Sequence, residues 1–341
     1  MVPQRTGVGA EPPADLPREE TFCDRTVAGG RPMVVEDARE DDRFAGLPIV
    51  VGGVRFYAGA PLQDAGGNLV GTLCLFDDQP GSLDAEQLQT LEDLAAWAQQ
   101  ELAATGEMTR AVEVQASMLP SAPLTSGEWA IDGVCLPALA VGGDLFDYGI
   151  VGDVVHFGLG DVMGKGTGAA LLGAGVRSAI RSTHAAVVAG VDLGVTTTQV
   201  ARGLAADLAR AESFVALFEA AVDLDDGYLR YVDAGMGLCL VVRADGRIER
   251  LSADNLPIGV LPDDHWTEQQ TTLELGDRLL LFSDGLLDLV DDPVSWWEPI
   301  GRLVSEHDDP STLLDAIALL TVATVPTDDV TAVAVYRRAV S

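Results

Sequence analysis

The chain has 341 residues, 48% of them hydrophobic, and carries 53 acidic against 21 basic residues for a formal net charge of −32. That length accommodates two domains and a sizeable core. A field of this sign repels nucleic acid and anionic lipid, so neither is an expected partner, and no apolar run reaches the roughly 18 residues of a membrane span.

The first twenty residues, MVPQRTGVGAEPPADLPREE, are polar and proline-rich, with no hydrophobic segment to serve as a signal peptide; a cytoplasmic location is expected. RPMVVEDA then reads as a strand entering a polar turn. VRFYAGAPLQDAGGNLVGTLCLFD reads as a hairpin, two strands about a turn at DAGGN. The next pattern is helical and runs over 85–118, capped by Ser82 or Asp84, with Leu88, Leu91, Leu94 and Trp97 as an apolar stripe, until LPSAPL ends it. LPREETFC, RPMVVEDAREDDRF and FYAGAPL…GNLVGTLCLFD…LEDLA resemble the later part of a GAF domain over about residues 5–104. The resemblance implies a sensory or dimerising α/β module over 1–104, a partial one because its first helix and strand find no match. No cofactor-specific residue stands out, and Cys23 is expected to be a packed thiol rather than a haem or bilin attachment. Residues 105–125 form a helical linker or switch, and a homodimer through the GAF domain and this helix is expected.

From 126 to 341 strands and helices alternate. VVHFGLGDV is a strand ending in an acid, and ALLGAGVRSAIRSTHAAVV a helix. FVALFEAAVDLDDGYLRYVDAG and GLCLVVRADGRIERL are strand pairs about DG-type turns. DRLLLFSDG is a strand, STLLDAIALLTVA a helix, and DDVTAVAVYRR the last strand. Strand pairs with few crossover helices predict an α+β fold of two antiparallel sheets with helices outside.

Two chemistries are excluded. A thiol phosphatase needs an Arg six residues after its Cys, but Gly29, Pro80, Val141 and Asp245 stand there, and the four cysteines suggest neither a zinc site nor a disulfide framework. The four histidines are scattered, none recognisably paired with a Ser and an Asp. Two motifs mislead. GDVMGKGT is not a phosphate-binding P-loop, because Leu159 and Gly166 stand where Gly and Ser or Thr are needed. VGGDLF is not a diguanylate cyclase loop, because Leu145 replaces the glutamate.

Four acidic motifs share a design, an aspartate at a strand end beside glycine: VGGDLFD with Asp144, FGLGDVMGKG with Asp161, LLLFSDG with Asp284, and TDDVTAVAV with Asp328 and Asp329. One alone is ordinarily a turn. Four that converge at a sheet edge raise one another's pKa, and a hard divalent cation with oxygen ligands relieves this. Two ions about 3.5–4 Å apart can share a water, lower its pKa and aim it at phosphorus. They also explain how so acidic a chain binds an anionic substrate.

The motifs VGGDLFDY, GDVMGKGTGAALL, DAGMG, LPIGV, LELGDRLLLFSDGL and DDVTAVAV, in this order, resemble the PP2C-like (PPM) phosphatases of the SpoIIE and RsbU type over about 200 residues. The resemblance implies a two-sheet β-sandwich flanked by helices, preceded by the partial GAF domain and linker helix. It places two Mn2+ or Mg2+ ions on catalytic Asp144, Asp161, Asp284 and Asp328 and on the Val162 carbonyl, with Asp329 able to share the role. Lys165 and Gly164 are expected to face the substrate, and Asp147 to support the site from behind. The implied substrate is a phosphoserine or phosphothreonine protein, an anti-sigma factor antagonist; the alternative is a silent scaffold that binds a phosphoprotein. Asp233-Ala234-Gly235-Met236 replaces the family's usual Asn-Ala-Gly-His, which removes a histidine proton donor but no metal ligand, and Ala216 stands where a Thr is frequent.

Overall fold

A computed structural model describes residues 17–338 except 65, 254 and 291–294. The part of the GAF-like stretch before residue 17 lies outside the described residues. The chain divides into two compact units, residues 1–109 and 110–341.

In the first unit, α1 (Phe22–Gly29) leads to β1 (Met33–Val35), α2 (Pro48–Val51), β2 (Phe56–Gln63) and β3 (Leu69–Asp77), and α3 begins at Ala85. The strands form one antiparallel sheet in the order β1-β2-β3. Alternation along β2 divides its side chains between two cores. Tyr57 packs with Phe22, Phe44 and Val50, while Phe56 and Ala58 pack with Leu91 and Ala95 of α3. Asp84 caps α3 reciprocally with Gln87: the Gln87 N–H donates to Asp84 Oδ1 at 2.8 Å, and the Asp84 N–H to Gln87 Oε1 at 3.0 Å. The expected apolar stripe is only partly inward. Leu91 is buried with Ala95, whereas Leu94 and Trp97 are exposed. An amphipathic period gives spacing, and the sheet contacts only the narrow i, i+4 seam. Cys23 and Cys74, 51 residues apart in sequence, bring their thiols to 4.0 Å, a pairing that spacing did not suggest; the Cys74 contact draws the Cys23 thiol down to about 6.

α3 (Ala85–Met118) is continuous into the second unit. There β4 (Leu124–Ser126), β5 (Trp129–Leu136), β6 (Leu145–Val151) and β7 (Val154–Val162) precede α4 (Thr167–Arg181), α5 (His184–Val188) and α6 (Leu193–Arg210). The run read as one helix is therefore two, broken at Ser182–Thr183. Next come β8 (Val215–Asp223), β9 (Tyr228–Ala234), β10 (Cys239–Val242), β11 (Ile248–Leu251), β12 (Gln269–Thr272) and β13 (Arg278–Phe282). A 3-10 turn at Asp284–Leu289, α7 (Trp297–Glu306), α8 (Pro310–Ala323) and β14 (Val330–Arg337) complete the unit.

The strands form a six-stranded sheet, β11-β10-β13-β14-β5-β4, and a five-stranded sheet, β12-β9-β8-β7-β6, each antiparallel throughout. Their inner faces bury Trp129, Phe157, Leu159, Phe218, Leu281 and Val333 against each other. Each such side chain contributes roughly 1.5–3 kcal/mol on leaving water. α4, α5 and α6 cover the outer face of the five-stranded sheet, and α7 and α8 that of the six-stranded sheet. The architecture is helix–sheet–sheet–helix, as the sequence pattern implied.

Candidate active site

The acidic motifs meet, but not as four strand ends on one sheet edge. Asp161 is the second-to-last residue of β7 and Asp284 follows β13, whereas Asp144 stands just before β6 and Asp328 just before β14. In antiparallel sheets one end of the sandwich collects the ends of some strands and the starts of their neighbours. Leu145 pairs with Gly160, so the next step of that ladder sets Asp144 against Asp161. On the other sheet β13 pairs with β14 as far as Phe282 and Ala332, and just past that ladder Asp284 comes within reach of the Asp328 charge. Ser283 fastens that junction: its hydroxyl donates to Asp329 O at 3.0 Å and accepts from Thr331 N–H at 2.9 Å. Gly285 follows, and a Cβ there would lie 2.2 Å from Asp329 O and 2.9 Å from Asp328 O. Only a residue without a side chain lets the Asp284 turn approach β14 so closely.

The electrostatics are those of crowded like charges. Asp144 is buried, and burial followed by the Asp161 charge pushes its carboxyl well above the usual range. Burial, then Asp284, Asp328 and Asp329, push Asp161 up to about 6. Burial and then Asp328 raise Asp284. Asp144 Oδ2 is buried without a hydrogen-bond partner among the described residues. Lys165 sets its ammonium 3.0 Å from Asp328 Oδ2 and also donates to Thr327 O. An all-oxygen donor set with an orphaned buried carboxylate oxygen, already drawing in the nearest ammonium, fits hard divalent cations.

Asp329 has a different task from the four. Its carboxylate accepts the N–H groups of Ala138 and Gly143, each at 2.8 Å, and so ties the loop that delivers Asp144 to the start of β14. Both of its oxygens are engaged by backbone N–H groups, so this carboxylate braces the loop before Asp144. Val162 is buried at the end of β7, and Gly164 lies in the turn that follows. Asp233, buried, accepts from the N–H groups of Met236 and Gly237 at 2.8 and 3.1 Å, so it shapes the turn where a histidine is usual. Asp147 points to the opposite side of β6 from the sandwich core and accepts from Arg177 and Arg181 at 2.8 and 3.1 Å.

One participant has no motif to announce it. Gln115, near the end of α3, donates from Nε2 to Gly142 O at 2.7 Å and accepts the Gly142 N–H on Oε1 at 3.2 Å. This two-way amide clamp holds the residue two before Asp144. A glutamine on a solvated helix carries no periodic signal, and only the fold reveals its reach.

Comparison with known proteins bears on the family and the fold. The family model described as Stage II sporulation protein E (SpoIIE) matches residues 152–338, more than half of the chain, and the GAF domain model matches residues 3–102. Protein IcfG of Synechocystis sp. is 26% identical over 265 residues, which are 68% of this chain and 41% of IcfG. Phosphoserine phosphatase RsbU of Bacillus subtilis is 25% identical over 227 residues, 65% of this chain and 64% of RsbU. The chain thus spans less than two thirds of each of these relatives. The SiaA-PP2C domain of Pseudomonas aeruginosa superposes with a TM-score of 0.58 at 21% identity, covering 70% of this chain and 98% of that domain. The fold of the second unit is that of PP2C phosphatases. No helix among the described residues is long and apolar enough to cross a membrane.

Proposed function

The chain belongs to the SpoIIE family, and from that premise we propose that it is a divalent-cation-dependent phosphatase that hydrolyses phosphoserine or phosphothreonine on a partner protein. The observation that carries this reading is the meeting of Asp144, Asp161, Asp284 and Asp328 from two sheets around a buried carboxylate oxygen that lacks a partner.

Asp144, Asp161, Asp284 and Asp328, with the Val162 carbonyl, would hold two Mn2+ or Mg2+ ions. When bound, such ions acidify a water and offset phosphate charge. The protein's own groups do the rest. The Asp329 carboxylate and the Gln115 amide hold the Asp144 loop in place. Lys165, about half exposed, can leave Asp328 and orient an incoming phosphate, with the backbone of the Gly164 turn beside it. The Ser283 hydroxyl beside the cluster is spent on Asp329 O and the Thr331 N–H, and burial pushes the nearby Cys135 thiol up to about 12, so the reaction in this reading is direct attack of water rather than passage through a phosphoenzyme. The complete acid set favours hydrolysis over a silent scaffold. The substrate in this reading is a cytoplasmic phosphoprotein of the anti-sigma factor antagonist type, and the protein shares that location.

Raised carboxyl pKa values fix the pH dependence. A group held near 6 keeps its proton in the ion-free protein below that pH, and a cation must displace it. The Mn2+ concentration for half-maximal activity on a phosphorylated antagonist protein should therefore fall as the buffer is taken from about pH 5.5 to about pH 7.5. Absence of any Mn2+- or Mg2+-stimulated release of phosphate would overturn the proposed function.

The reading includes a regulatory role for α3, and dimerisation through this helix and the GAF domain. Leu94, Trp97, Leu102 and Met108 leave an exposed apolar surface on α3. Through Gln115 a movement of the helix end would reach Gly142 and Asp144. Gln115→Ala should weaken Mn2+ binding by about tenfold, as loss of support behind a metal ligand does. Isothermal titration with Mn2+ measures this, and an unchanged affinity would remove the helix from the regulatory path.

A further inference from the structure

Beneath α4 and α5, on the outer face of the five-stranded sheet, an otherwise apolar layer contains a buried polar cluster unused by the aspartate site. Asp147 on β6, His156 on β7 and His184 on α5 are each more than nine-tenths buried. One ligand atom of each lies within 4.8 Å of the others. The imidazoles of His156 and His184 lie 3.6 Å apart between centroids, tilted by 36°, although 28 positions separate them in sequence. Asp147 Oδ1 is engaged by Arg177 and Arg181, but Asp147 Oδ2 and His156 Nδ1 have no hydrogen-bond partner among the described residues. With Arg177 Nε, also unpartnered, three orphaned buried polar atoms stand in one cluster, and a native fold ordinarily satisfies such atoms with water or an ion.

A further buried acid adjoins the cluster. Asp147, Gly158 and Glu219 stand in register across three strands, and a Cβ on Gly158 would lie 2.3 Å from Glu219 Oε1. Burial, and then Asp147, raise the Glu219 carboxyl well above its ordinary range. Burial, then His184 and Arg181, draw His156 down to about 3, and burial lowers His184 as well. Both shifts favour the neutral ring, which offers one nitrogen lone pair and one N–H. Two neutral imidazoles and one carboxylate are the donor set of a three-ligand zinc site, with a fourth tetrahedral position left to water.

We propose that Asp147, His156 and His184 bind a zinc-class divalent cation at a site separate from the four aspartates. Nitrogen donors set its preference apart. Mg2+ and Mn2+ favour the all-oxygen cluster, whereas Zn2+ and Co2+ favour imidazole. Arg181, half-exposed, can turn to solvent and relieve the added charge.

The test is Co2+ and Zn2+ binding to the full chain in excess Mg2+, which saturates the oxygen site. One equivalent of Co2+ should bind with the visible d–d absorption of a tetrahedral nitrogen-containing site, and Zn2+ should displace it. The equivalent should be lost in His156→Ala and in His184→Ala, and retained in Asp284→Asn. A Co2+ spectrum without tetrahedral bands in the unaltered protein overturns the proposal whatever the variants do. So does a Zn2+ stoichiometry that both histidine variants leave unchanged, which would make the cluster a buried ion pair between Asp147 and Arg177 and no more.

Discussion

Asp284→Asn should lower turnover on both a phosphopeptide and p-nitrophenyl phosphate by roughly 10³-fold or more, because a bound divalent cation supplies several kcal/mol of charge stabilisation. The substitution keeps the shape of the side chain and removes its charge. Asp284 faces the charges of Asp328 and Asp288, and its carboxyl is raised by burial and by them. Removing a charge from that crowd relieves repulsion in the ion-free protein. Two readouts should therefore move in opposite directions: activity falls, and the melting temperature without added cation stays level or rises. A drop in both would mean that Asp284 is a structural residue. Wild-type turnover in the variant would end the assignment of these acids as the catalytic centre.

Gly285→Ala should be nearly as damaging, by a different route. The new Cβ would have to move from 2.2 Å to ordinary contact with Asp329 O, a backbone atom that cannot rotate away. The exit of β13 would shift by roughly 1 Å against β14, and a misplacement of that size costs about 100-fold in rate. Overpacking of this kind also costs about 1–3 kcal/mol of stability. Steady-state kinetics, Mn2+ titration and thermal melting measure the three effects. An alanine variant with unaltered rate and Mn2+ affinity would show that the closeness of Gly285 to β14 has no bearing on the geometry of Asp284 and Asp328.

Much of the catalytic unit was legible in advance because its signals are local. Alternating apolar runs with acid–glycine ends marked most strands, and the turns at Asp225–Gly227 and Asp245–Gly246 marked two hairpins. The direction of each strand was not local. Pattern alone made every acid a strand terminus, while the topology uses two ends and two starts. α6 was missed because LGVTTTQV opens it with β-branched residues, whose propensity favours strand until packing decides otherwise. The remaining surprises are contacts across distance. Gln115 with Gly142, His156 with His184 and Cys23 with Cys74 sit on elements that the fold, and not the spacing, makes neighbours. That Asp329 accepts two N–H groups from the loop before Asp144 became visible only with the backbone in place.

The drawing of the acids from both sheets has a bearing on the protein's lifetime. Without cations the two layers are pushed apart at one end by their own charges; in the proposed reading, bound cations would make the same groups fasten the layers together. Saturation at 100 times the dissociation constant would add about 2.7 kcal/mol to the folded state. A cell short of divalent metal would then hold molecules that open more often at that end and reach proteases sooner. Metal supply would set not only how fast each copy works but how many copies persist.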